Sequence, residues 1–275
     1  MASGHVHPQI EALRIAWAES VRSTIEIGQG LSEAQWVLQS PCPGWRLKDL
    51  ISHLVGLEEF LLDPVEIEIP TAPERAWVKN DFGQFNEVAV DLRRERTGKE
   101  ILAELERVVE ARDAAWRLDD RAPDVEVLFT PVGILSLGLL LWRRVFDAWA
   151  HNQDLRMPLG LSGDLDGAAA RMIYPQVAKL LPATFAKKCA APIGTSIWIT
   201  VTGPGAFAYG AIINEEKRGE FLKAPPAKPN SSIRISTHDW YLLTCGRTGR
   251  EKVDAEIGGD HDLAEKIIAN LIIAP

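Results

Sequence analysis

The chain has 275 residues, 46% of them hydrophobic, enough to bury a sizeable core in two domains. Its formal net charge of -8 gives no electrostatic footprint for nucleic acid or an anionic membrane surface. Three cysteines without ligand spacing (Cys42, Cys189, Cys245) suit a reducing cytoplasm better than a disulfide scaffold, and Met1 to Gly4 lead into polar residues rather than a secretory signal.

In chain order, Pro8 opens a helix that repeats Ile10, Leu13, Trp17, Val21 and Ile25 on one face, with Gly28 and Gly30 expected to end it. Ser40-Pro41-Cys42-Pro43-Gly44-Trp45 reads as a rigid turn, because each proline fixes its own backbone angle and pushes its predecessor out of helix. The turn sets the entry angle of a second helix, Leu47 to Leu62, which carries His53. Prolines 64, 70 and 73 suggest a loop packed over the bundle, and Phe82, Phe85 and Val88 a further helical segment. Thr97 and Glu100 form a capping box ahead of Ile101, Leu105, Val108, Arg112 and Trp116. The apolar run Val132 to Trp142 is too short to span a bilayer and is expected to belong to a buried helix from about Pro131 to Asn152. These four long helices predict a bundle over residues 1–160.

Pro158-Leu159-Gly160-Leu161-Ser162-Gly163 marks a composition break, after which the period changes. Gly167 to Leu181 reads as helix. Thr195 to Thr202, Phe207 to Ile213, Ser232 to Ser236 and Lys252 to Ile257 read as strands, and His238 to Cys245 and Asp260 to Ile273 as helices. Residues 164–275 are thus expected to form a small α+β domain with one antiparallel sheet.

The chemistry concentrates in the last bundle helix. Asp147 and His151 are four residues apart on one face and can hold a metal ion from one side. A third ligand must come from another helix, and His53 is the best candidate. Alone, His53 fits a core histidine and the Asp147/His151 pair fits a helix-stabilising contact; together, two imidazoles and a carboxylate match a catalytic zinc or related divalent site with an open position. Glu58 and Glu59, five and six residues beyond His53, do not share its face well enough to act as a general base. Cys42 and Cys245 have no visible activating partner. Asp154 and Arg156 are expected to order the helix end, and Trp45, Trp142 and Trp149 to pack the bundle.

Pro41-Cys42-Pro43-Gly44-Trp45-Arg46-Leu47-Lys48-Asp49-Leu50-Ile51-Ser52-His53-Leu54, together with Arg144-Val145-Phe146-Asp147-Ala148-Trp149-Ala150-His151-Asn152-Gln153-Asp154-Leu155-Arg156, resembles the mycothiol-dependent maleylpyruvate isomerase family. The resemblance covers essentially the whole chain. It implies a DinB-like metal-binding four-helix bundle followed by a small sterol-carrier-like α+β domain, with His53, Asp147 and His151 as the metal ligands. It further implies a divalent metal such as zinc, mycothiol as thiol cosubstrate, and a small electrophilic, possibly anionic, substrate for isomerisation or thiol transfer. Leu242-Leu243-Thr244-Cys245-Gly246-Arg247 is a weaker match to the Gly-Arg element of the second domain; Arg247 is the expected catalytic-site clamp for an anionic group. The chain departs from many relatives in having Asp147 where they have Glu, and Arg46 where they cap the helix with Thr or Ser; Asp49 or water must then hold that helix start. A non-catalytic, metal-stabilised interaction protein and a hydrophobic-ligand binding protein remain open from the residues alone.

Overall fold

The computed structural model describes residues 6–63, 75–129 and 132–272. The chain divides into two compact units, with the boundary between Gly163 and Asp164.

In the first unit, α1 (Pro8–Gln29) is followed by the single turn α2 (Glu33–Trp36), α3 (Leu47–Leu62), α4 (Asp81–Asp91) and α5 (Gly98–Arg117). A hairpin of β1 (Glu126–Phe129) and β2 (Gly133–Ser136) then leads into α6 (Leu137–Arg156). Helices α1, α3, α5 and α6 make the bundle, with α1 against α5 and α6, and α3 against α4, α5 and α6. Burial fixes this arrangement. Trp17, Trp36, Trp116 and Trp149 are fully buried, each worth about 1.5–3 kcal/mol or more by apolar burial, which exceeds what helix propensity could contribute. Thr97 caps α5 as its spacing to Glu100 predicts, with Thr97 Oγ1 accepting the Glu100 amide and Glu100 accepting the Thr97 amide.

Two expectations for this unit need correction. Helix α6 begins at Leu137, not near Pro131: the front of the apolar run is strand β2, and Ser136 Oγ accepts the Leu139 amide to cap the helix. A run of bulky apolar residues fits a strand as well as a buried helix, and Gly133, which pairs with Phe129 as the first residue of β2, has φ 107°, a backbone conformation outside the helical range that glycine adopts without strain. Gly28 does not end α1. The helix runs past it to a cap at Gly30, and Gly28 instead lets Leu102 and Trp36 approach, since a Cβ there would lie 2.8 Å from Leu102. The loop expected over the bundle falls on residues 64–74, outside the described residues.

The second unit contains α7 (Ala168–Ala178), the short α8 (Leu181–Ala183), β3 (Ser196–Thr202), β4 (Phe207–Ile213), β5 (Gly219–Leu222), β6 (Ser231–Ser236), α9 (Thr237–Thr244), β7 (Ala255–Gly259) and α10 (His261–Ile268). The strand order is β5-β4-β3-β6-β7. The sheet is mixed rather than antiparallel, because β3 and β6 pair in parallel. Alternation within a strand reveals which face is buried but not the direction of its neighbour, and the long β3-to-β6 connection permits either. Strand β5 has no counterpart in the sequence reading; its residues are partly or fully exposed, so no apolar alternation marks it. Ile197, Ile199 and Val201 of β3 and Ile233 and Ile235 of β6 face the core. Among the described residues no helix is long and apolar enough to cross a membrane.

Candidate metal centre

The site begins at the turn before α3. Gln39 pins it by donating from one side-chain amide to the carbonyls of Ser40, Cys42 and Trp45, at 3.1, 3.1 and 2.8 Å. Ser40 Oγ donates to the Trp45 carbonyl at 2.7 Å and accepts the Cys42 amide at 3.1 Å. Gly44 has φ 76°, and the Trp77 ring lies where its Cβ would be, so position 44 admits only glycine without rearrangement. Trp45 is anchored by Nε1 donating to buried Glu87 at 2.6 Å. Arg46 cannot cap α3 through its side chain; Asp49 Oδ2 accepts the Arg46 amide at 2.8 Å, one of the two solutions open from the sequence.

Helix α3 carries His53 and α6 carries Asp147 and His151, and the structure brings the three together. One donor atom from each lies within 4.8 Å of the others. Both Asp147 oxygens lie 3.3 Å from His53 Nε2. They differ in their other partners: Oδ2 accepts Arg144 Nη1 at 3.0 Å, while Oδ1 faces His151 Nε2 at 3.6 Å. The imidazoles stand edge-on, with centroids 4.9 Å apart and planes at 79°. Trp45 packs on both, with centroids 5.1 Å from His53 and 6.0 Å from His151. It is therefore part of the wall of the site, not bundle packing alone.

The protonation states suit metal ligation. Burial lowers the His53 pKa and outweighs the opposing pull of Asp147, which favours the neutral ring. For Asp147, burial acts to raise the pKa, but Arg144 and then His53 and His151 overcome it and hold the carboxyl below its usual range. Neutral imidazole and ionised carboxylate are the forms that bind a metal. His151 Nδ1 is committed to Asp154 Oδ2 at 2.9 Å, which leaves Nε2 directed at Asp147. A carboxylate on one ring nitrogen and a lone pair on the other is the usual arrangement of a histidine ligand. His53 Nδ1 is buried with no hydrogen-bond partner among the described residues. The donor set therefore fits a divalent ion. The shorter Asp147 side chain still reaches both histidines.

Sequence patterns alone did not reveal the support beneath Asp147. Arg144 is buried and its Nε donates to Glu58 Oε1 at 2.9 Å. The other Glu58 oxygen accepts Arg112 Nε at 3.0 Å, and Trp17 Nε1 donates to Oε1 at 3.0 Å. Glu58 is thereby a structural anion. Burial pushes its pKa up, Arg144 and Arg112 push it down further, and the net shift is downward. The available signal was Arg144 at three residues before Asp147, directly after the apolar run Leu137 to Trp142. On the α3/α4 side, a cavity of about 490 Å³ has His53 in its wall alongside Leu57, Phe60, Phe85 and Leu92.

Residues 17–156 match the sequence profile of the mycothiol maleylpyruvate isomerase N-terminal domain. The chain belongs to this family. Two solved structures share the fold: a mycothiol-dependent maleylpyruvate isomerase, at 18% identity and TM-score 0.55, and a histidine-to-alanine mutant of a protein so described, at 17% and 0.54. Each comparison covers 93% of this chain and 96% of the other. At that identity they speak for the fold. No curated protein matches in sequence.

Arg247 belongs to the second unit, just after α9. Its amide donates to the Leu242 carbonyl at 2.8 Å, completing the helix end around Gly246 at φ 65°, and its Nη1 donates to the Cys245 carbonyl at 2.7 Å. The side chain is half-buried. Cys42, Cys189 and Cys245 are all buried thiols outside any disulfide.

Proposed function

We propose that the protein is a metal-dependent enzyme that activates a low-molecular-weight thiol, mycothiol by family membership, for isomerisation or thiol transfer on a small electrophile. The observation that carries this reading is the convergence of His53, Asp147 and His151 from two helices, with an ionised carboxylate between imidazole nitrogens. Two nitrogens and one oxygen suit zinc or a neighbouring divalent ion. Bound there, such an ion would act as a Lewis acid that lowers the pKa of a thiol or water.

The chain's own residues perform the remaining work. Arg144 holds Asp147 Oδ2 and so keeps Oδ1 turned toward His151. Trp45 packs against both imidazoles and limits their rotation. Glu58 has both oxygens occupied by Arg112, Arg144 and Trp17, so it is not a base for activating water. That favours a nucleophile deprotonated by coordination over one that needs a separate base. For isomerisation, thiolate sulfur adds to an activated cis double bond and the π electron pair moves onto the activating carbonyl as an enolate; the resulting single bond rotates, and collapse of the enolate expels the thiolate and re-forms the double bond as trans. For transfer by addition, the carbon–sulfur bond persists and the enolate takes up a proton from solvent. The His53 cavity gives room for an apolar part of a ligand. Arg247 is assigned to an anionic group of substrate or thiol through its bidentate fork; an Arg247→Lys enzyme with unchanged KM for that component would remove the assignment. The buried thiols accord with a reducing compartment.

Metal content decides the foundation of this reading. The purified wild-type chain is expected to hold one divalent ion, and His53→Ala, Asp147→Ala and His151→Ala to lose it. Full stoichiometric metal in all three variants would overturn the ligand assignment.

A further inference from the structure

The proline-rich turn before α3 contributes a residue whose purpose the proposed function leaves unexplained. Cys42 sits on that turn, far in sequence from α6, yet its Sγ lies 3.3 Å from Asp154 Oδ2. The same oxygen accepts from His151 Nδ1 at 2.9 Å. Cys42, His151 and Asp154 are all buried, Asp154 completely. Together they form a cluster whose donor atoms lie within 4.8 Å, adjoining the first cluster through the shared imidazole.

We infer that Asp154 and Cys42 are positioning residues for the metal ligand His151, with Cys42 fixing the carboxylate and the carboxylate fixing the imidazole tautomer. A carboxylate is acceptor-only, so the hydrogen on the facing ring nitrogen must be on Nδ1, and the lone pair is left on Nε2. A thiol is a weak donor, but at 3.3 Å from a buried carboxylate its S–H is aimed at the same oxygen. The turn cannot drift, because Gln39 and Ser40 hold its carbonyls and Gly44 its backbone. One turn thus braces both histidines: Cys42 through Asp154 for His151, and Trp45 by direct packing on both rings. Cys42 acts here as a hydrogen-bond donor and not as a nucleophile.

The inference rests on the three-ligand reading, and its test separates the two. In the full chain stripped of metal, nitrogen NMR of the His151 ring is recorded across a series of increasing pH, and the tautomer is read on the alkaline plateau, where the shifts no longer change. The wild type is expected to show the Nδ1–H tautomer, and Asp154→Asn, whose amide can donate, to shift the population toward Nε2–H. In a chelator competition, Asp154→Asn should bind zinc about 10- to 100-fold more weakly. Cys42→Ala should lose affinity by a smaller factor, and Cys42→Ser, which keeps a donor, should recover it to within about twofold of wild type. If Asp154→Asn does not fold, the Cys42 pair decides. An unchanged His151 tautomer in Asp154→Asn, or equal zinc affinity in wild type and Cys42→Ala, would overturn the inference. A wild type that binds no metal would instead defeat the three-ligand reading, while the tautomer measurement still tests the positioning roles.

Discussion

Glu58 shows how a buried charge can serve the site without touching it. It is fully buried and neutralises Arg112 and Arg144, and Arg144 in turn orients Asp147. Breaking a buried pair leaves the partner uncompensated, which costs about 3–5 kcal/mol. Glu58→Gln should therefore destabilise the full chain by roughly that amount at pH 7 in urea unfolding. The pH dependence follows from the direction of the shift. Because the folded pKa is depressed, the carboxylate contributes its stabilisation above the unfolded value of ~4.3 and loses it as pH falls through the folded value. Wild type should thus lose more stability than Glu58→Gln as pH falls below about 4. A variant within about 1 kcal/mol of wild type at pH 7, with the same acid limb, would show that Arg144 does not depend on Glu58.

Among the elements, the turn from Gln39 to Arg46 matters most, because it delivers both Trp45 and Cys42 to the histidines. At Gly44 a side chain would collide with the Trp77 ring, in a left-handed conformation that costs an L-residue about 1–2 kcal/mol. Gly44→Ala should lower stability by at least that amount and weaken metal binding, since the strain falls on the turn that packs against His53. Urea unfolding and chelator competition read the two effects; a variant equal to wild type in both would show that the turn does not brace the ligands. The turn was legible from Pro41, Pro43 and Gly44, and the pairing of Asp147 with His151 on one helical face from their four-residue spacing. The dependence of Asp147 on Arg144 and Glu58 was not, because it joins α3 to α6 across the bundle and local spacing carries no record of it. The same limit applies to Cys42 and Asp154, 112 positions apart. Strand β2 was hidden because Leu135 and its neighbours are as apolar as the helix that follows, and β5 because it is too exposed to alternate.

At the scale of the molecule, the N-terminal unit supplies a preorganised donor set and the C-terminal unit a mixed sheet with Arg247 at the end of α9. Bundle and site are one construction: the charges that would be costly in the core, Glu58, Arg112, Arg144 and Asp147, are linked in series and end at the two histidines. The central claim is that this centre activates an exogenous thiol and not water. Cobalt substitution tests it most directly, because thiolate bound to cobalt gives a sulfur-to-metal charge-transfer absorption that water or hydroxide cannot. Titrating mycothiol, glutathione and cysteine into the cobalt protein should produce that band saturably, with mycothiol saturating at the lowest concentration. A spectrum unchanged by all three thiols, together with metal-dependent hydrolysis in a thiol-free assay, would contradict the account.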